Sequence, residues 1–282
     1  MMSQQAQSSG QKASSESSES HVGYPIEELI NCENIPTGTD TAFFTYGRFQ
    51  PAHTGHKKMI EQLLEMASTH NATTGTEITP EKTNVYVFVS PSGGPKEKKP
   101  QKNPLSPNQK VDLLQKQYAG YPIHFINMGA PLPEGIQTSG FGALALLNNQ
   151  GIGCYAQTVI LIGEDRIKFA EQMLKYGLSG YGFAKRPVDA MSSTKLRQAA
   201  IENNITTFSK GIQFGEVTPQ HTNQIFQNIR AKYRLQGGKK RKRTRRRCHK
   251  PRRRKTRRKT RRKNKRKRKR KRKTRKRKCK FR

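Results

Sequence analysis

Residues Thr41 to His56 read TAFFTYGRFQPAHTGH. The first six, TAFFTY, form a short apolar and aromatic run closed by Gly47, which predicts a buried strand. Pro51 fixes a turn. Beyond it Ile60, Leu63, Leu64 and Ala67 recur at helical spacing, predicting a helix from about Thr54 to Thr69.

The same alternation continues outward. NVYVFVS (Asn84–Ser90) is a second strand, running into a Pro-, Gly- and Lys-rich loop from Pro91 to Pro104. A helix starts near Ser106 and holds Val111, Leu113, Leu114 and Tyr118; IHFINM (Ile123–Met128) is a third strand. A helix with Leu144, Ala145 and Leu147 follows a Gly-rich stretch, and TVILIG (Thr158–Gly163) is the fourth strand. A helix from about Arg166 to Tyr176, a fifth strand near Tyr181–Lys185 and helices at about 193–202 and 219–234 complete the pattern. Strand and helix in alternation predict a Rossmann-like α/β fold, a parallel sheet of about five strands with helices on both faces. Right-handed crossovers gather the strand C-termini on one edge, so Gly47–His56 and Gly163–Arg166 should share a crevice there.

Charge divides the chain differently. The 282 residues carry 56 Lys and Arg against 19 Asp and Glu, a net +37. Lys239 to Arg282 holds 34 of those cations and no acid, leaving 22 cations against 19 acids elsewhere. Residues 1–22 are Ser- and Gln-rich and cannot bury enough surface to order themselves. The expected organisation is therefore a disordered leader, 1–22, a single domain, 23–236, and a disordered polybasic tail, 237–282, set off by Gly237 and Gly238. No apolar run approaches the roughly 18–20 residues of a membrane span. The start carries no secretory signal, so the protein is expected inside the cell and not secreted. Cys32, Cys154, Cys248 and Cys279 are widely spaced without a CxxC pair, which supports neither a disulfide framework nor a zinc site and points to a reducing compartment.

Two stretches carry chemistry. In GRFQPAHTGH (Gly47–His56), Gly47 permits close backbone approach to a ligand, and His53 and His56 stand three apart where a helix begins. Orphan amides at such an end attract phosphate, and two imidazoles beside them can clamp charge developing on a phosphoryl group. In MSSTKLR (Met191–Arg197), Ser192, Ser193 and Thr194 are N-cap candidates and Arg197 lies one turn in, again suited to phosphate oxygens. GFGALA (Gly140–Ala145) matches a dinucleotide pattern, but Pro131–Ser139 separates it from the strand it should follow. No GxxxxGK[ST] run exists, so a P-loop is unsupported.

GRFQPAHTGH together with MSSTKLR resembles the cytidylyltransferase-like nucleotidyltransferases, which share an (H/T)xGH signature with class I aminoacyl-tRNA synthetases. GRFQP is most similar to nicotinamide-nucleotide adenylyltransferases of the archaeal type, while KKPQKNPLSPNQK (Lys98–Lys110) and IGEDR (Ile162–Arg166) resemble members from large bacteriophages. The resemblance spans about residues 41–212. It implies transfer of a nucleoside monophosphate from ATP or CTP to a small phosphorylated acceptor, with release of pyrophosphate. It further implies that His56, assisted by His53, stabilises the α-phosphate at the transition state, and that Ser193, Thr194 and Arg197 hold the β- and γ-phosphates. Gly47, Arg48, Phe49, Gly163 and Asp165 would border the nucleotide, and Lys98 and Lys99 lie in a loop that can reach the triphosphate. Mg2+ would arrive with the triphosphate, since no carboxylate cage for a resident metal is evident. A phosphate nucleophile is already ionised at neutral pH, which fits the absence of a carboxylate partner for the histidines.

The tail should bind nucleic acid without sequence preference through residues 239–282. Its composition resembles C-termini of large DNA virus proteins, and it could equally serve as a nuclear or nucleolar address or hold the protein in a virion. The competing class is a non-catalytic nucleic-acid-binding protein with the domain as scaffold. The oligomeric state is left open.

Overall fold

The computed structural model describes residues 26–29, 31–80, 82–94, 98–185 and 190–247. Residues 1–22 of the expected leader, and the tail beyond residue 247, lie outside the described residues. In chain order the elements are α1 (Ile26–Leu29), β1 (Thr41–Gly47), α2 (Thr54–Thr74), β2 (Val85–Val89), α3 (Pro107–Gln117), β3 (His124–Asn127) and α4 (Gly140–Leu147). There follow β4 (Gln157–Gly163), α5 (Ile167–Leu174), β5 (Gly180–Ala184), α6 (Ser193–Ile201), α7 (Ile205–Ile212) and α8 (Pro219–Arg247).

The five strands form one parallel sheet in the order β3-β2-β1-β4-β5. Strand periodicity distributes the apolar residues to its two faces. Phe43, Val85, Val87, Val89, Phe125 and Leu161 meet α2, α3, α6, α7 and α8, while Ala42, Phe44, Tyr86, Phe88, Ile126, Ile160 and Ile162 meet α4 and α5. Both faces are buried, which is why these strands read as continuous apolar runs rather than alternating ones. Chain direction reverses its march across the sheet between β1 and β4. Their backbone pairing stops at Phe44–Ile160, although both strands continue to glycines, Gly47 and Gly163. Past the last pair, the Thr45 hydroxyl donates to the Leu161 carbonyl at 2.9 Å. The opening that results is the switch point where ligands of open α/β sheets bind.

Three features depart from the sequence-based expectation. First, α7 appears between the two expected C-terminal helices. Thr206, Thr207 and Gly211 weigh against a helix, but Asn204 caps it and Phe208 and Ile212 are fully buried. Gly211 is required by packing: a Cβ there would lie 2.5 Å from the Leu196 side chain. Second, α8 does not end at Gly237 and Gly238 but runs on to Arg247. Lys and Arg are good helix formers, and each glycine costs only about 1 kcal/mol, so the pair does not impose the break expected of it.

Third, Cys32 and Cys154 form a disulfide, with Cα atoms 5.4 Å apart and 122 residues of separation. The expectation of unpaired cysteines is corrected, and a reducing compartment loses the support it drew from their spacing. Distance in sequence hid the pair; the fold joins the segment before β1 to the one before β4, where Gln157 N–H also donates to the Asp40 carbonyl at 2.9 Å. No helix among the described residues is long and apolar enough to cross a membrane.

Candidate active site

A cavity of about 900 Å3 opens at the β1/β4 switch point. Residues from both glycine-ended strands line it, together with the start of α6.

The β1–α2 turn is built around its histidines. His53 is α2's N-cap: its Nδ1 accepts from the Gly55 amide at 3.0 Å, an arrangement that leaves a neutral ring's proton on Nε2. His53 is 1% exposed and does not line the cavity; His56 does. The two rings lie 3.9 Å apart between centroids, tilted by 34°, and the buried Phe49 ring lies 4.9 Å from the His56 ring. The glycine of HxGH has a packing reason. A Cβ on Gly55 would fall 2.6 Å from the Met191 carbonyl, so α2 and the segment leading into α6 approach backbone to backbone. Gly47 is excluded from bearing a side chain by the Phe49 ring, 2.7 Å from its Cβ position. Phe49 itself has φ +44°, a left-handed conformation unusual for a non-glycine residue, and a cis peptide joins Gln50 to Pro51.

Ser192, not Ser193, caps α6, its side chain accepting from the Lys195 amide at 3.1 Å. Ser193 Oγ instead donates to the Pro51 carbonyl at 3.0 Å, binding α6 to the histidine turn. Arg197 donates to the Gln50 carbonyl at 2.7 Å and to Thr194 Oγ1 at 3.1 Å. Burial weakens this guanidinium's hold on its proton and the Tyr233 hydroxyl opposes that, with Arg48 nearby adding to the lowering. Arg197 stays charged throughout the physiological range. All three residues line the cavity, as do Gly47, Arg48, Phe49, Gly163 and Asp165. The sequence-predicted residues therefore converge on one crevice, with His53 one layer behind.

Several lining residues were not singled out by the sequence. Gln50 is 3% exposed; its amide donates to the Ser92 and Leu105 carbonyls and accepts from the Leu105 amide, tying the histidine turn to the β2–α3 loop. Its place inside GRFQP was the available signal. Lys102 lines the cavity, whereas Lys98 and Lys99, the loop lysines noted in the sequence, are exposed and do not. Tyr46, Arg166 and Lys185 complete the wall beside Glu164, which belongs to the Gly163–Asp165 stretch expected to border the nucleotide. Burial raises the Tyr46 phenol, partly offset by the Arg166 charge, and its hydroxyl donates to the Thr138 carbonyl at 3.1 Å. Among the described residues no group of three metal-ligating side chains exists; Glu164 and Asp165 are the carboxylates at the cavity. The glycines of GFGALA pack instead of lining it, with Gly140 against Phe169 and Gly142 against the Gln137 carbonyl.

Such a site offers an imidazole, a helix N-terminus, hydroxyls and several cations to one ligand, a constellation suited to a polyphosphate. No curated protein sequence matches the chain. Among solved structures, a bifunctional NMN adenylyltransferase/ADP ribose pyrophosphatase from Francisella tularensis is 16% identical, covering 72% of this chain and 56% of that one, with a TM-score of 0.43. A protein assigned as a nicotinate-nucleotide adenylyltransferase from Vibrio parahaemolyticus is 16% identical over 66% of this chain and 99% of its own, with a TM-score of 0.42. The nicotinic acid mononucleotide adenylyltransferase of Plasmodium falciparum, complexed with APC, is 13% identical over 70% and 96%, with a TM-score of 0.38. The cytidylyltransferase-like family model matches residues 44–209, more than half of the chain and both motifs. The chain belongs to the cytidylyltransferase-like family, and is a nucleotidyltransferase.

Proposed function

We propose that this domain transfers AMP from ATP to a phosphate-bearing acceptor, such as nicotinamide mononucleotide, and releases pyrophosphate. The observation that carries the reading is the convergence of His56 and the α6 N-terminus, with Arg197, on one cavity at the sheet's switch point. An oxygen of the acceptor phosphate attacks the α-phosphorus, forming a new P–O bond. The bond from that phosphorus to the oxygen bridging the β-phosphate breaks, and its electron pair leaves with pyrophosphate. The nucleophile is ionised already, so catalysis consists of positioning and charge stabilisation. His56 faces the α-phosphate, held in place by His53 and Phe49. Ser193, Thr194 and Arg197 hold the departing phosphates, and Gly47, Arg48, Phe49, Gly163 and Asp165 border the nucleotide. Mg2+ enters as part of the triphosphate substrate and neutralises phosphate charge, with Glu164 and Asp165 the carboxylates available to its waters.

The test is pyrophosphate release from ATP and from CTP across a panel of phosphorylated acceptors. Release with at least one acceptor, lost on His56→Ala, is the expected result. No release with any acceptor would leave the domain as a scaffold for the tail, a reading that the tail's composition favours. For residues 239–282 we propose a non-specific tether to nucleic acid, within a nucleus or a virion. If ten cations met phosphates, log affinity would fall against log salt with a slope of about −9.

A further inference from the structure

The family match ends at residue 209, yet a residue well beyond it reaches the site. Tyr233, on α8, donates its hydroxyl to the carbonyl of Gln101 at 2.5 Å. The next residue, Lys102, lines the cavity. The same phenol lies near Arg197 and favours its charged form. Arg197's hydrogen bonds run to the Gln50 carbonyl and to Thr194 Oγ1.

The β2–α3 loop is thus held at three places by different means. Near its start, Lys110 Nζ donates to the carbonyls of Ser90 and Ser92. At its end, the Gln50 amide brackets Leu105. Tyr233 takes the middle, where the cavity-facing lysine stands. Two cations that face one cavity repel each other unless a polyanion or a dipole lies between them. The hydroxyl of Tyr233 lies near Arg197 and bonds the backbone beside Lys102.

We infer that Tyr233 is a positioning residue for the triphosphate: its hydroxyl fixes the Gln101–Lys102 segment, so that Lys102 and Arg197 face one phosphate chain. This rests on the proposed use of the cavity for a nucleoside triphosphate. Tyr233 itself does not line the cavity and acts through the Gln101–Lys102 segment. Fixing that segment beforehand lowers the ordering cost of binding and so acts on ATP affinity more than on the chemical step.

The experiment uses the full chain at about 0.3 M salt, which screens the tail. ATP affinity is measured by displacement of a fluorescent ATP analogue, beside steady-state pyrophosphate release. Tyr233→Phe, which keeps the ring, should weaken ATP binding and raise its KM up to about tenfold, the effect of losing the hydrogen bond that holds Gln101, with kcat within about twofold. The acceptor KM should not move. In a Lys102→Met background the Tyr233→Phe penalty should shrink below about twofold, because the two act through one contact. Unchanged ATP affinity in Tyr233→Phe, or fully additive penalties, would overturn the inference. A protein that binds ATP but turns over no acceptor sinks the transfer reading alone, and the affinity comparison still decides Tyr233. A protein that binds neither ATP nor CTP sinks both.

Discussion

The two edges of the sheet use polar residues in opposite ways. At the N-terminal edge they are consumed by one another. Asn84 is fully buried, donates to the Thr41 carbonyl at 2.9 Å, and exchanges side-chain hydrogen bonds with buried Asn71 at 3.0 and 3.1 Å. Thr83 donates to the Pro122 carbonyl at 2.8 Å, and the Cys32–Cys154 disulfide lies near the starts of β1 and β4. At the C-terminal edge, polar residues hold the loops but keep a side toward the cavity, as Arg197, Ser193 and Thr194 do. The first edge is closed and stabilises; the second is open and recognises.

Substitutions at the two edges should therefore separate activity from stability. Arg197→Ala should lower kcat/KM about 100-fold or more, since it removes an oriented charge from a partly buried site, while the melting temperature moves little. A large loss of stability instead would break the contrast. Replacing Cys32 and Cys154 by serine should cost about 2–4 kcal/mol in denaturant unfolding, with KM for ATP unchanged. Asn84→Ala should cost about 2 kcal/mol by the same measurement, because it strands the buried Asn71 amide; a changed KM would show that the edges communicate.

The closed edge also carries a pH dependence. His124, 6% exposed at the start of β3, is held by burial at a pKa of about 4, below its ordinary 6.5. Between those values the unfolded chain binds a proton that the folded one does not. Stability is therefore full above pH 6.5 and falls as pH drops toward 4, by at most about 1.4 kcal/mol per pH unit. Unfolding free energies across that window, compared with His124→Gln, check it; the variant should lack the slope.

Most of the architecture was legible because it rests on apolar runs. TAFFTY, VYVFV and VILIG are buried on both sides, and each strand lies within a residue or two of its expected place. The helices declared themselves by cap and periodicity, as with Ser106 and its capping box. α7 did not, since two threonines and a glycine conceal a helix that tertiary packing enforces. At the candidate site, residues with distinctive chemistry at fixed spacing could be singled out, and His56, Ser193, Thr194 and Arg197 line the cavity while His53 lies behind it. Gln50 could not be singled out, because its buried amide acts through carbonyls 42 and 55 residues away. Cys32 and Cys154 escaped for the same reason, their pairing being a property of the sheet order.

That disulfide also makes the chain between its ends a covalent ring. The ring contains β1 through α4, hence His53 and His56; β4, β5 and α6, with Ser193 and Arg197, lie outside it. The cavity is assembled across the ring's boundary. A single proteolytic nick between Pro91 and Leu105 would therefore leave both pieces joined, migrating as one species until reductant separates them. The two halves of the cavity lining belong to segments that one sulfur–sulfur bond keeps in the same molecule after the backbone is cut.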